Sequence, residues 1–423
     1  MWQRYRKRII SLLLAVICTV GCMGCGVPLA AQTDNSLVTG GLLPYCEQKP
    51  AHLHLPKRDT PVVATWLPYF LYPDLFGGKT EAEAHQTVKT LLESAQSIGI
   101  NTVFAHACAF GEAYYDSVCY PKAIETGQLD YLQILAEECK DLGISLHAWI
   151  NPLRLQIPDV MATWQSGTMA ADWYHDAAKR AANMAQVEGR YYLQPAADAT
   201  CQLLCVAAEE LLTRYAIDGI HIDDYFYPTS AADFDAAAFA HSGAKDLTLW
   251  RMENINRILQ AMYETVHSVQ DDAVFSVSPC GNLQSNLQTQ YADCALWCEK
   301  SGYCDWLIPQ IYYGYRNQTM PFSETLAQWL ALPRDASVQV IVGLAAYKVG
   351  TVDVFAGGGS AEWQEDTALL AKQTADVLTT TESSGAALYH IGNVQQLSPD
   401  EKTALQSEIF TVFSGSFYPS AVS

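Results

Sequence analysis

Eight times between residues 62 and 412, a short apolar run is followed by an amphipathic run of helical length. The apolar runs lie at 62–69, 100–107, 144–151, 217–224, 273–279, 305–313, 338–347 and 385–392. Helical periodicity marks 81–97, 129–142, 198–215, 249–269, 286–300, 321–331, 362–380 and 398–412. Alternation of this kind calls for parallel strands with helices packed on them, and eight units predict a (β/α)8 TIM barrel. A doubly wound open sheet is the other parallel arrangement. It usually carries a glycine-rich phosphate loop after its first strand, and LPYFLYPD (67–74) has none. The longest inserts are 152–197 after strand 3 and 225–248 after strand 4, both at the end of the barrel where chemistry resides. A single catalytic domain is therefore expected over 61–415, with 26–60 as a tether and lead-in and 416–423 as a tail.

The N-terminus reads as an export signal. MWQRYRKR is basic, and the following IISLLLAVICTV is apolar but too short to span a bilayer comfortably. GCMGCG comes next, placing a small residue before Cys22 and again before Cys25, the junction at which a lipoprotein signal is cut and the thiol acylated. The expectation is a signal over 1–25, lipid on Cys22 or Cys25, and a cell-surface protein that meets the membrane only through that anchor. Plain secretion after cleavage near Ala30–Ala31 is the alternative.

Charge narrows the partners. The chain has 45 acidic and 25 basic residues, for a net charge of -20. That field repels nucleic acid and anionic surfaces, so nucleic acid is excluded and a neutral polymer or small molecule is the easier partner. Half of the residues are hydrophobic, enough for a sizeable core and against general disorder. The 13 cysteines include i, i+4 pairs at Cys201/Cys205 and Cys294/Cys298 on expected helices. A zinc site would want tighter pairs or interspersed histidines, so unpaired thiols are expected and no metal or other cofactor.

Reading the C-terminal ends of the strands in order gives a rim of imidazole, amide, phenol and indole groups, suited to stacking on sugar rings and bonding their hydroxyls. Strand 3 supplies His147, Trp149 and Asn151, with Arg154 just beyond; strand 6 supplies Gln310 and Tyr312. The strongest local signal is DGIHIDDYFYP (218–228) at strand 4. Side chains alternate along a strand, so with Ile220 and Ile222 facing helices, His221 and Asp223 face the barrel interior. Asp223 is the expected nucleophile or charge stabiliser. Asp224 faces the other way on a straight strand and joins Asp223 only if the strand ends there. Glycoside cleavage needs a second carboxyl group, and the choices are Asp224, Glu112 and Asp116, with Asp224 first. Tyr225 and Tyr227 complete the expected sugar-facing set with His147 and His221. His147, His221 and His390 beside Asp223 could also compose a metal site, but histidines so placed more often bond sugars or neighbours.

At this point the chain resembles a known family. HAWINPLR (147–154), DGIHIDDYFYP (218–228), WRMENINRIL (250–259), FSVSPCGN (275–282), YCDWLIPQIYYG (303–314) and VGLAAYKVG (342–350) are similar, in order, to the blocks of glycosyl-hydrolase-like family 10. The resemblance implies a (β/α)8 glycoside hydrolase, often a lipoprotein, whose relatives act on peptidoglycan glycan strands lacking peptides. It also implies sugar-binding roles for Asn151, Arg154, Trp250, Arg251, Gln310 and Tyr312. Where that family usually has Gln-x-Arg-Pro after strand 2, this chain has AHAC (105–108), so one rim arginine is missing. The strand-4 motif is also faintly similar to that of family 18 chitinases, but Tyr225 stands where their acid is a glutamate, and their substrate-assisted mechanism is not carried over. The reading is an exported glycoside hydrolase acting on a cell-wall glycan. The alternative is a carbohydrate-binding lipoprotein with a degenerate active site.

Overall fold

A computed structural model of the chain describes residues 61–416. Cys22, Cys25 and the tether lie outside the described residues. The barrel strands are β1 (Val62–Leu67), β2 (Thr102–Ala109), β3 (Ser145–Ile150), β4 (Gly219–Ile222), β5 (Val274–Val277), β6 (Trp306–Leu307), β7 (Gln339–Leu344) and β8 (Gly385–Leu388). Each pairs in parallel with its neighbours in sequence, and β1 pairs with both β2 and β8. The sheet closes into the expected eight-stranded parallel barrel. The helices are α1 (Glu81–Ile98), α2 (Tyr131–Leu142), α3 (Asp198–Arg214), α4 (Leu247–Val269), α5 (Cys294–Glu299), α6 (Phe322–Leu330), α7 (Leu369–Thr379) and α8 (Pro399–Ser416).

Local chemistry sets the boundaries. A capping box opens α1: the Thr80 side chain accepts from the Glu83 amide while the Glu83 carboxylate accepts from the Thr80 amide. Gly143 ends α2 in the left-handed region at φ 65°, which turns the chain directly into β3. Asp218 accepts from the Leu146 amide at 2.8 Å and ties the start of β4 to β3. At Gly219 a side chain would meet the Val274 carbonyl at 2.3 Å, so only glycine lets β4 sit against β5.

Strand β6 shows regular pairing over only two residues, although the apolar run extends over 305–313. Pro309 interrupts it, because proline has no amide to donate. Single parallel bridges at Gln310, to Cys280 and to Gly343, then carry the wall on to the mouth.

Two packed regions result. The larger lies between strands and helices and includes Ile220 and Ile222. The smaller fills the barrel itself with Ala64, Trp66, Phe104, Trp149, Ile308, Ile341 and Ala387. The nine described cysteines are free thiols, including Cys201/Cys205 on α3 and Cys294/Cys298 on α5.

The 152–197 insert folds into three short helices and an antiparallel hairpin of Met184–Val187 and Arg190–Leu193. Glu188 and Gly189 turn it with φ of 48° and 81°, the two left-handed residues that a tight hairpin turn requires. The hairpin runs beside the segment just after β3, with Arg154 opposite Tyr192.

Candidate active site

Strand β4 ends at Ile222. Asp223 and Asp224 therefore lie just past the regular ladder, and alternation no longer forces them to opposite faces. They reach toward different neighbours. Asp223 Oδ2 accepts from Trp149 Nε1 at 3.1 Å and from Asn151 Nδ2 at 2.5 Å, both on the β3 side. Asp224 lies on the far side beside Gln310, whose amide also donates to the Ser278 carbonyl at 3.0 Å.

Both carboxyls are pushed above the ordinary carboxylate range. Burial is the largest cause for each, and the charge of Asp224 adds to it at Asp223. Arg154 acts on both in the opposite direction. Asp223 Oδ1 is buried with no hydrogen-bond partner among the described residues. A buried carboxylate oxygen without a donor is costly, and such groups concentrate where charge is used.

The groups holding Asp223 are themselves held. Trp149 stacks on His106, with ring centroids 3.3 Å apart, and His106 Nδ1 accepts from the Tyr69 amide at 3.1 Å. Asn151 Oδ1 accepts from the Phe110 amide at 3.2 Å. Phe110 adopts φ 55°, an uncommon conformation for a side-chain-bearing residue, and it turns the chain past the end of β2. The Arg154 guanidinium lies over the rings of Tyr225 (4.5 Å) and Phe110 (4.8 Å). On the opposite wall, Tyr312 sits 5.8 Å from both Tyr347 and Tyr389.

Of the expected sugar-facing residues, Arg154, Tyr225, Gln310 and Tyr312 are partly exposed at this mouth. Trp149 and Asn151 are buried and spend their donors on Asp223, which makes them positioning groups for that carboxylate. Five others are placed elsewhere than expected. His221 lies inside the barrel: its Nε2 accepts from Trp66 Nε1 at 2.9 Å, so its Nδ1 carries the proton and donates to Ser276 Oγ at 2.9 Å. His147 is also fully buried there, against Trp306, and burial lowers its pKa to about 3. Neither imidazole reaches the rim: His221 lies level with Trp149, one inward position below Asp223, and His147 lies one layer deeper, level with Gly219.

The remaining three pack beneath the 225–248 insert. The Arg251 side chain has no exposed surface and forms a 2.5 Å pair with Asp235, with further bonds to Tyr291 and to the Ser230 and Ala231 carbonyls. Tyr227 is buried over the same guanidinium and accepts from Asn254 at 3.0 Å. Trp250 packs on Phe239. The alternative carboxylates are also occupied: Glu112 accepts from Gln156 and Trp164, and exposed Asp116 pairs with Lys122 at 2.8 Å. His390 caps a short helix, with its ring accepting from the Gly392 amide.

Two residues escaped the sequence reading. Tyr389 comes from the wall opposite Arg154, and its signal was its inward register two residues after Ala387. Arg190 lies 4.9 Å over Phe110. Its signal was the Glu-Gly dipeptide between two β-prone runs, which marks a hairpin.

The glycosyl hydrolase-like 10 sequence model matches residues 62–357. Glycosyl hydrolase YngK of Bacillus subtilis is 25% identical over 324 residues, 69% of this chain and 62% of that protein. Glycosyl hydrolase DigH of Escherichia coli K12 is 25% identical over 296 residues, 61% of this chain and 65% of that protein. The alignments thus span less than two thirds of these relatives. Among solved structures, the β-amylase catalytic domain of Paenibacillus polymyxa superposes with a TM-score of 0.54 at 11% identity, over 84% of this chain and 98% of that one. The α-L-fucosidase isoenzyme 2 of Paenibacillus thiaminolyticus gives 0.54 at 13% identity, over 84% and 49%. These likenesses establish the barrel fold. With the family match spanning the barrel from β1 to beyond β7 and including the Asp223–Asp224 motif, the chain belongs to the glycosyl hydrolase-like 10 family.

Proposed function

We propose that this protein is a glycoside hydrolase that cleaves O-glycosidic bonds of a cell-wall, peptidoglycan-type glycan. The observation that carries the reading is the pair of carboxyl groups just past β4, both held above the usual carboxylate range by burial. Burial and mutual repulsion keep one of two such groups protonated while its partner is ionised, which is the division of labour glycoside cleavage requires. At Asp223 burial and the charge of Asp224 raise the carboxyl, and the two N–H donors on Oδ2 oppose that rise; once ionised, its bare Oδ1 is assigned to act on the anomeric carbon as nucleophile or charge stabiliser. Asp224, beside Gln310, is assigned as the acid that protonates the leaving oxygen. Tyr312 and Tyr225 supply faces for sugar rings. The names of the relatives, each a glycosyl hydrolase, support the same activity.

The test is incubation of the purified protein with peptide-free peptidoglycan strands, chitin oligomers and neutral polysaccharides, followed by assay for new reducing ends. Cleavage of the first supports the reading. Binding without new ends assigns a carbohydrate-binding protein instead. Export and a lipid anchor at Cys22 or Cys25 are part of the proposal, resting on the small-residue–Cys junctions after the apolar run. Labelled palmitate should enter the parent, and a Cys22→Ala/Cys25→Ala double variant should leave the membrane fraction.

A further inference from the structure

The mouth holds more positive charge than the carboxylate pair uses. Arg154 acts electrostatically on Asp223 and Asp224. Arg190 is a second guanidinium at the same mouth. It arrives on the inserted hairpin, donates to the Leu155 carbonyl at 2.8 Å, and lies over the same Phe110 ring as Arg154. Among the described residues neither guanidinium forms an ion pair with a carboxylate, although seven other Lys and Arg side chains do. Arg154 Nε is buried without a hydrogen-bond partner, and the charge of Arg154 presses against that of Arg190. Two repelling, partly desolvated guanidinium groups over one ring favour any anion placed between them. The contrast with Arg251 is direct, since that buried guanidinium is fully occupied by Asp235, Tyr291 and two carbonyls.

We infer that Arg190, with Arg154, forms a carboxylate subsite that selects glycans whose repeat carries a free acidic group. A planar carboxylate matches the two-pronged donor set of guanidinium, and the flanking rings of Phe110, Tyr69 and Tyr225 suit the sugar that bears it. Such a pair reverses, over a few ångströms, the repulsion that a net charge of -20 exerts on an acidic polymer at long range. The inference rests on the glycan reading above, and it makes the 152–197 insert a specificity element.

Calorimetric titration of the full chain carrying Asp223→Asn separates the two readings. The probes are two acidic tetrasaccharides, one alternating N-acetylglucosamine with N-acetylmuramic acid and one with glucuronic acid, each beside its carboxyl-reduced counterpart. At least one acidic form should bind ~10-fold or more tightly than its reduced form, the scale of a charge-assisted bond. Arg190→Gln should bring that ratio close to one by weakening the acidic form more than the reduced form, and Arg190→Lys should keep part of it. A ratio near one for both probes, absence of binding by all four, or an Arg190→Gln loss shared equally by acidic and reduced forms overturns the inference. If the ratio holds but the parent releases no reducing ends, hydrolysis fails and the subsite stands. If the parent cleaves and the ratio is one, the reverse is true.

Discussion

Inside the barrel, Trp66 Nε1 donates to His221 Nε2; at the mouth, Trp149 Nε1 donates to Asp223 Oδ2. The two indoles make the same kind of bond, yet the acceptors differ in kind. His221 is neutral, since burial and the neighbouring His147 and His106 hold its pKa well below the ordinary value, and Ser276 completes its bonding. Asp223 is a carboxyl with one oxygen doubly bonded by donors and the other bare. A satisfied neutral group in a dry barrel is structure, whereas a half-satisfied acid beside a second acid is poised for chemistry.

The largest expected effect falls on the upper group. Asp223→Asn should lower turnover by about three orders of magnitude, or ~4 kcal/mol of transition-state stabilisation. The sign for stability is opposite. The folded state raises the pKa of Asp223, so it binds the proton more tightly than the unfolded chain, and ionisation costs stability as pH rises through and above the unfolded value of about 3.9. Asp223→Asn should therefore be more stable than the parent at neutral pH, and the gain should vanish in acid. Parallel melting curves and turnover check both, and a folded variant retaining more than about a tenth of parental turnover breaks the assignment.

Next comes the buried ion pair under the 225–248 insert, where charge is compensated. Arg251→Met strands Asp235 and should cost about 3 kcal/mol or more in denaturant unfolding, most of it recovered in Arg251→Met/Asp235→Leu. If Arg251→Met instead leaves stability intact and weakens glycan affinity, the sugar-binding role returns.

The two tryptophans sharpen the comparison. Trp149→Phe keeps the ring on His106 and removes one donor to a charged acceptor, about 1.5–3 kcal/mol, so kcat should drop about tenfold or more. Trp66→Phe leaves a buried imidazole nitrogen bare and should cost ~1–3 kcal/mol of stability with turnover per folded molecule unchanged. Equal effects of both on kcat would erase the distinction between the tiers.

The smallest effect at neutral pH is that of His147, which shows only on the acid limb. The folded pKa of His147 is about 3, so the unfolded state binds its proton first as pH falls below about 6.5, and stability declines from there toward pH 3. The slope from this group approaches ~1.4 kcal/mol per pH unit, and His147→Phe should flatten it by that amount. A variant with the parent's acid profile would place the titration elsewhere.

Much of this arrangement is already readable in the amino-acid order. Eight alternations of period near 2 and 3.6 dictate a parallel barrel, because apolar strands in parallel must be covered by helices. The inward register of His221 and Asp223 follows from Ile220 and Ile222 facing outward. Depth is another matter. Whether an inward residue sits in the barrel or on its rim depends on where hydrogen bonding between strands stops, and that moved His147 and His221 below the mouth. The end of β4 at Ile222, which frees Asp224, is likewise set by pairing with β3 and β5. Inserts hide the rest. Arg251 and Tyr227 have the composition of a sugar site but are consumed by Asp235 and Asn254, partners that are distant from them on a straight strand or helix. Arg190 is 36 residues beyond Arg154 in the chain, and only the folded hairpin sets both over Phe110. Periodicity records which face a side chain takes. Only closure of the barrel and folding of its inserts decide which other side chains share that face, because those contacts join residues far apart in sequence.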